Sequence, residues 1–550
     1  MGRFSEMLRR PGLRWGLAAL GAAVLGVVWA YCWRVFYYLD GRFSPLATTL
    51  FCVAALELVL GAAALLRFGV RGFAARGAVC VFLCGLLFVF ANPPLQTPDE
   101  CDHYLRTYAI SLGRLDFDAD RGYPEDVAAL VNAFPGAWVN AHTSVGIGTD
   151  PDTGADKPYD TAGYALKQYG DDGRIESIAD SFADYFDRAD TTPVTEPVSF
   201  LILPFLPGAV GMALARLLGL SALGCLYGGR IGNLLAYTLL CYAALRAVRR
   251  GRPVFLCFAL LPLSLFLGGS LSYDATLLGC YYLMLALMTR PTWTTRTAVV
   301  YGAACVYVNI AKPYLNLLWV LLPLLVTLPA WRAKGRRWQW SLGMAAGSLA
   351  ATLLVEWYGT ALRHNYPVIA RQGGEAVNGG QQLAFVLSNP LRTVAAFLGT
   401  LYENDFFIGQ LGVFGWKDLP IPLLNLTGPL LLLAAALLAA APGPGLGRRR
   451  TLGLGAFALV YAAGAITAMY ITYTPVGMIR VVGLQARYFL CVWLALLPGA
   501  AALLRRGLRP ALTAQRAEAA ALPLCGGYAA FAAVLLFQHY MIGPFYTIPV

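Results

Sequence analysis

The sequence predicts an all-α polytopic membrane protein. Three observations carry that reading. Of the 550 residues, 58% are hydrophobic and only 13% are charged, the apolar residues form long runs, and the basic residues gather in the short gaps between runs. A soluble domain carries roughly a quarter of its residues as charges, and a disordered chain would be poor in aromatics and rich in charge. Mean hydropathy is +0.59. A net charge of +12 would suit nucleic acid, but the positions of the charges account for it better.

The N-terminus carries Arg3, Arg9, Arg10 and Arg14 ahead of an apolar run. That run is long enough to span and is followed closely by two more, so a retained anchor is expected rather than a cleaved signal. A helix needs about 20 apolar residues to cross the hydrocarbon. Crossings are expected near 15-37, 45-66, 77-93, 225-245, 254-270, 274-289, 297-311, 314-331, 339-359, 423-441, 452-473, 486-504 and 519-538, about 13 transmembrane helices in all. With the N-terminus inside, the basic clusters at 67-76, 246-252, 290-296, 332-337, 448-450 and 505-516 all stay cytoplasmic, as Lys and Arg near span ends do.

The segment 198-220 is apolar enough to span, but a crossing there would invert every later cluster. Two prolines and three glycines also interrupt it. It reads as an interfacial helix or re-entrant hairpin, and 391-408 reads the same way. The chain thus divides into three N-terminal helices (1-93), a large extracytoplasmic loop with the interfacial helix (94-224), helices four to nine (225-360), a second outer loop (361-422) and the last four helices (423-550). Residues 94-197 hold 20 of the 30 acidic residues and seven basic ones. His103, His142, His364 and His539 all fall on the outer side, which places any chemistry there.

Most of the 12 cysteines lie in apolar runs and read as small buried hydrophobes. No CxxC pair appears, so neither a disulfide framework nor a cysteine metal site is expected. Asp150, Asp152 and Asp156 fail the full calcium-loop pattern and read as a solvated acidic loop. No phosphate-binding nucleotide loop occurs. Glu57 is the only acid well inside a span, where an ion-coupled transporter would carry several.

The chemistry-bearing motif follows the third span: Asn92 to Gly113 reads NPPLQTPDECDHYLRTYAISLG. Thr97 is placed as N-cap, Pro98 at the first helical position and Glu100 as the closing residue of a capping box. Asp99, His103 and Arg106 then lie at i, i+4 and i+7 and share one face. Glu100 fits cap and chemistry equally. Asp99 and His103 are candidate catalytic residues, because an acid, an imidazole and a guanidinium converge just outside the membrane. Other cations near the outer surface are Arg230, Lys312 and Arg487; each suits an anionic headgroup, with snorkelling to lipid as the bland account. Asp274 could hold a sugar hydroxyl, pair with a cation, or serve only as a helix N-terminal acid. Trp416 and Asp418 could form a sugar platform, or Trp416 could be an interfacial anchor.

These segments resemble a bacterial family of uncharacterised multi-spanning membrane proteins with the signature PP-x-x-x-PDE-x-x-H-x-x-R. PFLPGAVGMALARLLGL with GGRIGNLLAY, LLPLSLFLGGSLSYDA, GVFGWKDLPIP and LQARYFL resemble further blocks of that family in the same order, covering about residues 92 to 490. The family itself resembles the GT-C membrane glycosyltransferases, in which a first outer loop carries an acidic pair followed by an apolar interfacial helix. The resemblance implies a plasma-membrane enzyme that transfers a sugar from a polyprenyl-phosphate donor to a glycan or lipid acceptor on the extracytoplasmic face. It implies Asp99-Glu100 as the acidic pair, acting as base or as ligands of a divalent cation (Mg or Mn), and Arg106, Arg230, Asp274, Lys312, Trp416, Asp418 and Arg487 as substrate-binding residues. Many GT-C enzymes carry a soluble C-terminal domain, and none is expected here. The alternative readings are a flippase-like glycan or lipid transporter and a non-catalytic subunit of a cell-envelope polysaccharide assembly complex.

Overall fold

The computed structural model describes residues 26, 29, 44–116, 118, 121–134, 145–149, 156–160, 178–195, 201–327, 337–365, 377–417, 419–440, 446–507 and 513–542. The first expected span, His142, Asp150, Asp152 and Asp418 lie outside them, apart from Gly26 and Trp29 of that span. The protein is a mostly helical membrane protein. In chain order it forms α1 (Pro45–Phe68), α2 (Phe73–Ala91), α3 (Glu100–Ser111) and α4 (Glu125–Ala133), then an antiparallel hairpin of β1 (Val145–Thr149) and β2 (Asp156–Asp160), and α5 (Ile178–Asp187). A Leu203–Phe205 turn leads into α6 (Leu206–Leu217), α7 (Ala222–Ala247), α8 (Arg252–Ala259), α9 (Pro262–Gly268), α10 (Asp274–Met288), α11 (Thr295–Ala311), α12 (Leu321–Thr327) and α13 (Arg337–Asn365). The chain continues through α14 (Gly379–Ser388), α15 (Pro390–Glu403), a two-residue hairpin of β3 (Val413–Phe414) and β4 (Leu419–Pro420), then α16 (Pro422–Ala439), α17 (Arg448–Thr472), α18 (Leu490–Gly507) and α19 (Ala514–Ile542).

Six of the described helices are long and apolar enough to cross a membrane, or seven if the α14–α15 pair, bent by 108°, counts as one span. Helix is also present at each of the other expected segments from 225 to 359, but there it is shorter, more polar or interrupted. The expected 254-270 crossing is two helices, because Pro262 cannot continue the hydrogen-bond ladder of α8. The 314-331 segment opens as a tight 3-10 turn at Leu315–Val320 before α12. The two hairpins depart from the all-α expectation.

The middle of the fold is α7, which packs against α2, α6 and α10. The α6–α7 contact brings backbone against backbone. A Cβ on Gly211 would stand 2.1 Å from the Gly228 carbonyl oxygen, and one on Gly232 would stand 2.4 Å from that of Pro207. Small residues of this kind are what permits close helix approach in lipid. The 12 residues of α6 make it about 18 Å long, too short for a bilayer core of about 30 Å.

The loop is tied to this core at two places. Asp126 on α4 accepts the Ala222 amide at 2.6 Å and the Tyr185 hydroxyl at 2.8 Å, which caps α7. Deeper, Glu100 and Arg230 form a fully buried fork, Nη2 to Oε2 at 2.7 Å and Nε to Oε1 at 2.9 Å. The remaining Arg230 donors reach the carbonyls of Val89, Asn92 and Pro93 at 2.6–3.1 Å, so all five N–H groups are used. Glu100 also accepts the amides of Leu271 at 3.0 Å and Thr97 at 3.3 Å. One ion pair thus joins the end of α2, the start of α3, the middle of α7 and the turn before α10. Asn233 holds the same turn through the carbonyls of Ser270 and Ser272.

Removing one partner of a saturated buried pair strands the other charge, at a cost of roughly 3–5 kcal/mol. Arg230→Ala is therefore expected to lose about that much stability in a reversible unfolding assay in detergent. The double variant Glu100→Leu/Arg230→Met is expected to recover much of the loss, because it leaves no lone charge.

Candidate functional site

The acidic pair at the head of α3 is split between two tasks. The helix starts at Glu100 rather than Pro98, with Asp99 at the N-cap in the left-handed region at φ 60°. The expected capping box forms only by half. Glu100 reaches the Thr97 amide, but the Thr97 hydroxyl accepts from the Asn92 amide group at 2.9 Å instead of capping α3. With Glu100 committed to Arg230, its neighbour Asp99 is turned the other way. Its carboxylate remains 45% exposed and makes no cap hydrogen bond.

Asp99 faces Arg487, in the turn before α18, with Oδ2 3.5 Å from Nη2. The same guanidinium reaches Asp274 Oδ2 at 3.0 Å through Nη1 and donates to the Tyr488 hydroxyl at 3.3 Å. Arg487 thus bridges two carboxylates separated by 175 positions (274 − 99). Its Nε is buried without a hydrogen-bond partner among the described residues. Lys312 completes the cluster. It caps α11 with extended backbone, and its ammonium stands 4.3 Å from the centre of the Tyr488 ring. The break in the chain that presents it is held by Asn316, whose amide group donates to the Val308 and Lys312 carbonyls and whose oxygen accepts from Tyr281.

His103 lies one turn beyond Asp99 on α3. Its ring packs between Phe205, 5.2 Å away, and Tyr273, 4.9 Å away, and its Nδ1 is buried without a hydrogen-bond partner among the described residues. On the remaining side, the β3–β4 hairpin carries Lys417 at φ 73°. The Lys417 ammonium donates to the Asn404 side chain at 3.3 Å. The neighbouring Trp416 has a buried, unpartnered indole N–H. Phe407 stacks on Phe489 at 4.2 Å and fastens the segment before this hairpin to the Arg487 turn.

Of the residues expected at the site, Asp99, His103, Asp274, Lys312 and Arg487 come together, and Trp416 lies on the adjoining hairpin. Glu100 and Arg230 do not belong to it, since every donor and acceptor of the pair is spent on the other or on backbone. Arg106 does not belong either. Fully buried, it donates to the carbonyls of Leu115, Asp116 and Leu201 and so pins the loop that follows α3. Helical spacing aligned Arg106 with Asp99, but the carbonyls of Leu115 and Asp116 in the loop after α3, and of Leu201, claimed the long side chain. Of the Asp99-Glu100 pair, Glu100 has its acceptor positions filled, which leaves Asp99 alone open; no group of three or more His, Cys, Asp or Glu able to hold a metal occurs among the described residues. Tyr273, Lys417 and Tyr488 were not singled out from sequence. Each is the immediate neighbour of a residue that was, which is the one signal that could have found them.

Burial holds the His103 imidazole below its ordinary value near 6.5, against the opposing pull of Asp99 and Asp274. The folded protein therefore takes up a proton at His103 less readily than the unfolded chain. The stability this gives is complete above pH 6.5 and is lost as pH falls from there toward the depressed folded value. Thermal unfolding midpoints measured from neutral to mildly acidic pH should show His103→Gln losing less stability on acidification than the parent.

A family model described as "Predicted membrane protein (DUF2142)" matches residues 82–496. No curated protein and no solved structure matches the chain. The matched stretch runs from α2 into α18 and contains every residue of the cluster, and the chain belongs to this family of predicted membrane proteins.

Proposed function

We propose that the protein is an inverting GT-C-type membrane glycosyltransferase of a bacterial plasma membrane, with about 13 transmembrane helices and the N-terminus cytoplasmic. It transfers a sugar from a polyprenyl-phosphate donor to a cell-surface glycan or lipid on the extracytoplasmic face. One observation carries the reading: a half-exposed carboxylate, Asp99, stands 3.5 Å from a guanidinium that is itself flanked by Lys312 and Tyr488. A base and a phosphate-binding cation pair at one place are what this reaction needs.

In the proposed step the acceptor hydroxyl oxygen attacks the anomeric carbon and its proton passes to Asp99. The bond from the anomeric carbon to the phosphate oxygen breaks, and its electron pair leaves with the polyprenyl phosphate. Arg487 offers a planar fork to that anion and Lys312 a point charge. The unpartnered N–H groups of Arg487 and Trp416 are further donors for phosphate or sugar oxygens. His103, wedged between two rings, lines the acceptor side. Asp274 orients Arg487.

Asp99→Asn is expected to lower the turnover of purified protein by roughly 10²–10⁴-fold with little change in donor affinity, and Asp99→Glu to restore part of it. Transfer that persists in the Asn variant would remove the enzyme reading. For the topology, a cysteine at Arg188, on the loop and 55% exposed, should react with a membrane-impermeant maleimide in intact cells. Reaction only after permeabilisation would place the loop, and the cluster with it, in the cytoplasm.

A further inference from the structure

Arginines gather at the end of the bundle away from Asp99. Helix α10 starts at Asp274, and its 15 residues carry the chain about 22 Å to Thr289. Three segments meet there. From the turn between α7 and α8, the Arg249 amide donates to the Thr289 hydroxyl at 2.9 Å. From the first turn of α17, Arg450 donates to the Thr289 carbonyl at 3.5 Å and to that of Pro291 at 2.9 Å. Arg290 follows Thr289 and donates to the Thr297 hydroxyl at 3.3 Å, and Arg296 stands at the start of α11. The stretches 246–252, 290–296 and 448–450 hold nine arginines and no acid. The Glu518 carboxylate, on α19, is taken by Arg252 at 3.0 Å. Among the described residues, Arg249, Arg290, Arg296 and Arg450 pair with no carboxylate. Burial, and then the like charges of Arg249 and Arg296, hold the Arg290 guanidinium below its usual value.

We propose that these arginines hold the phosphate of an anionic phospholipid headgroup, at a site separate from the Asp99 cluster. Arginines at span ends follow a general inside bias, but that bias does not draw three distant segments onto one turn. Like charges brought together repel, and an anion between them removes that cost. The surroundings select a lipid over a soluble anion. Val299, three positions after Arg296, is 48% exposed, and Leu452, two positions after Arg450, is 61% exposed. The Arg246 guanidinium lies 5.7 Å from the centre of the Tyr242 ring, and aromatic side chains of this kind favour the headgroup level. The arginines thus border apolar helix surface, where the phosphates of a bilayer lie. In the proposed topology this end faces the cytoplasmic leaflet, whose anionic lipids attract basic segments. The proposal does not depend on the transferase reading.

The test counts the lipids that the full chain retains. Nanodiscs of equal phosphatidylglycerol and phosphatidylcholine are dissolved in detergent, and the bound lipid is read by native mass spectrometry. The parent should retain phosphatidylglycerol over phosphatidylcholine by roughly tenfold or more, since each arginine near a headgroup adds to affinity. Arg290→Gln/Arg450→Gln should lower that preference roughly tenfold, and Arg290→Lys/Arg450→Lys should keep part of it. Arg188→Gln/Arg392→Gln removes the same charge from exposed positions on the loop and on α15, and it should keep the parental preference. Equal retention of the two lipids by the parent overturns the proposal, and this arm stands even where a variant does not fold. An unchanged preference in the Gln pair overturns it, as does an equal loss in the Arg188/Arg392 control, which would make the effect one of bulk charge. Inorganic phosphate that raises the parent's thermal midpoint as far as phosphatidylglycerol does would assign the arginines to a soluble anion and overturn the lipid.

Discussion

Glu100 and Arg230 meet 130 positions apart in the chain, fully buried where the loop joins the helix bundle. Their geometry sets the positions of the groups around them. Arg230 draws in three carbonyls around the C-terminal end of α2, the end where a helix leaves acceptors unpaired, and so fixes where the chain leaves the bundle. Glu100 draws in the Leu271 amide and so fixes the turn that launches α10. Asp99 stands beside one of these anchors and Asp274 follows the other. The two carboxylates can therefore share a single guanidinium from a third, distant segment. A buried pair of this kind adds little net stability over an apolar replacement. Its contribution is registry: it admits one arrangement of α2, α3, α7 and α10.

The two acids of the motif, adjacent in sequence, end in opposite environments. Glu100 has its acceptor positions filled and no exposure; Asp99 has one long contact and nearly half its surface open. The backbone around the site is correspondingly strained. Asp99, Tyr314, Lys417 and three consecutive residues, Asp405 to Phe407, all have positive φ. Such conformations cost of order 1–3 kcal/mol each and persist where the surrounding structure enforces them. They lie at or next to the segments that present Asp99, Lys312 and Lys417. Unpartnered N–H groups on Arg487 and Trp416, and an unpartnered ring nitrogen on His103, gather in the same region. A buried donor without an acceptor is costly, and an oxygen-rich ligand would satisfy several at once.

Hydrophobic run length located the six described helices that are long and apolar enough to cross a membrane, because the need to keep backbone polar groups out of lipid acts on each segment by itself. The loop motif was equally legible. Pro93-Pro94, Asp99-Glu100, His103 and Arg106 announced a helix just after the third expected span, and α3 is there. Breaks inside apolar runs were less legible. Pro262 splits 254-270 into two helices, and the short 3-10 turn after Lys312 replaces the first turns of an expected span.

What the sequence determined alone was the membrane class, the acid-rich loop, and the short list of polar side chains near the span ends, since these follow from composition and one-dimensional spacing. Which of those side chains gather into one cluster was decided only in three dimensions. Helical spacing aligned Arg106 with Asp99, yet loop carbonyls captured it. Arg230 and Arg487 looked equivalent as outer-surface cations, yet one found a carboxylate with no remaining freedom and the other found two it could share. Charge pairing depends on distances between segments more than a hundred residues apart, and no local pattern encodes those distances.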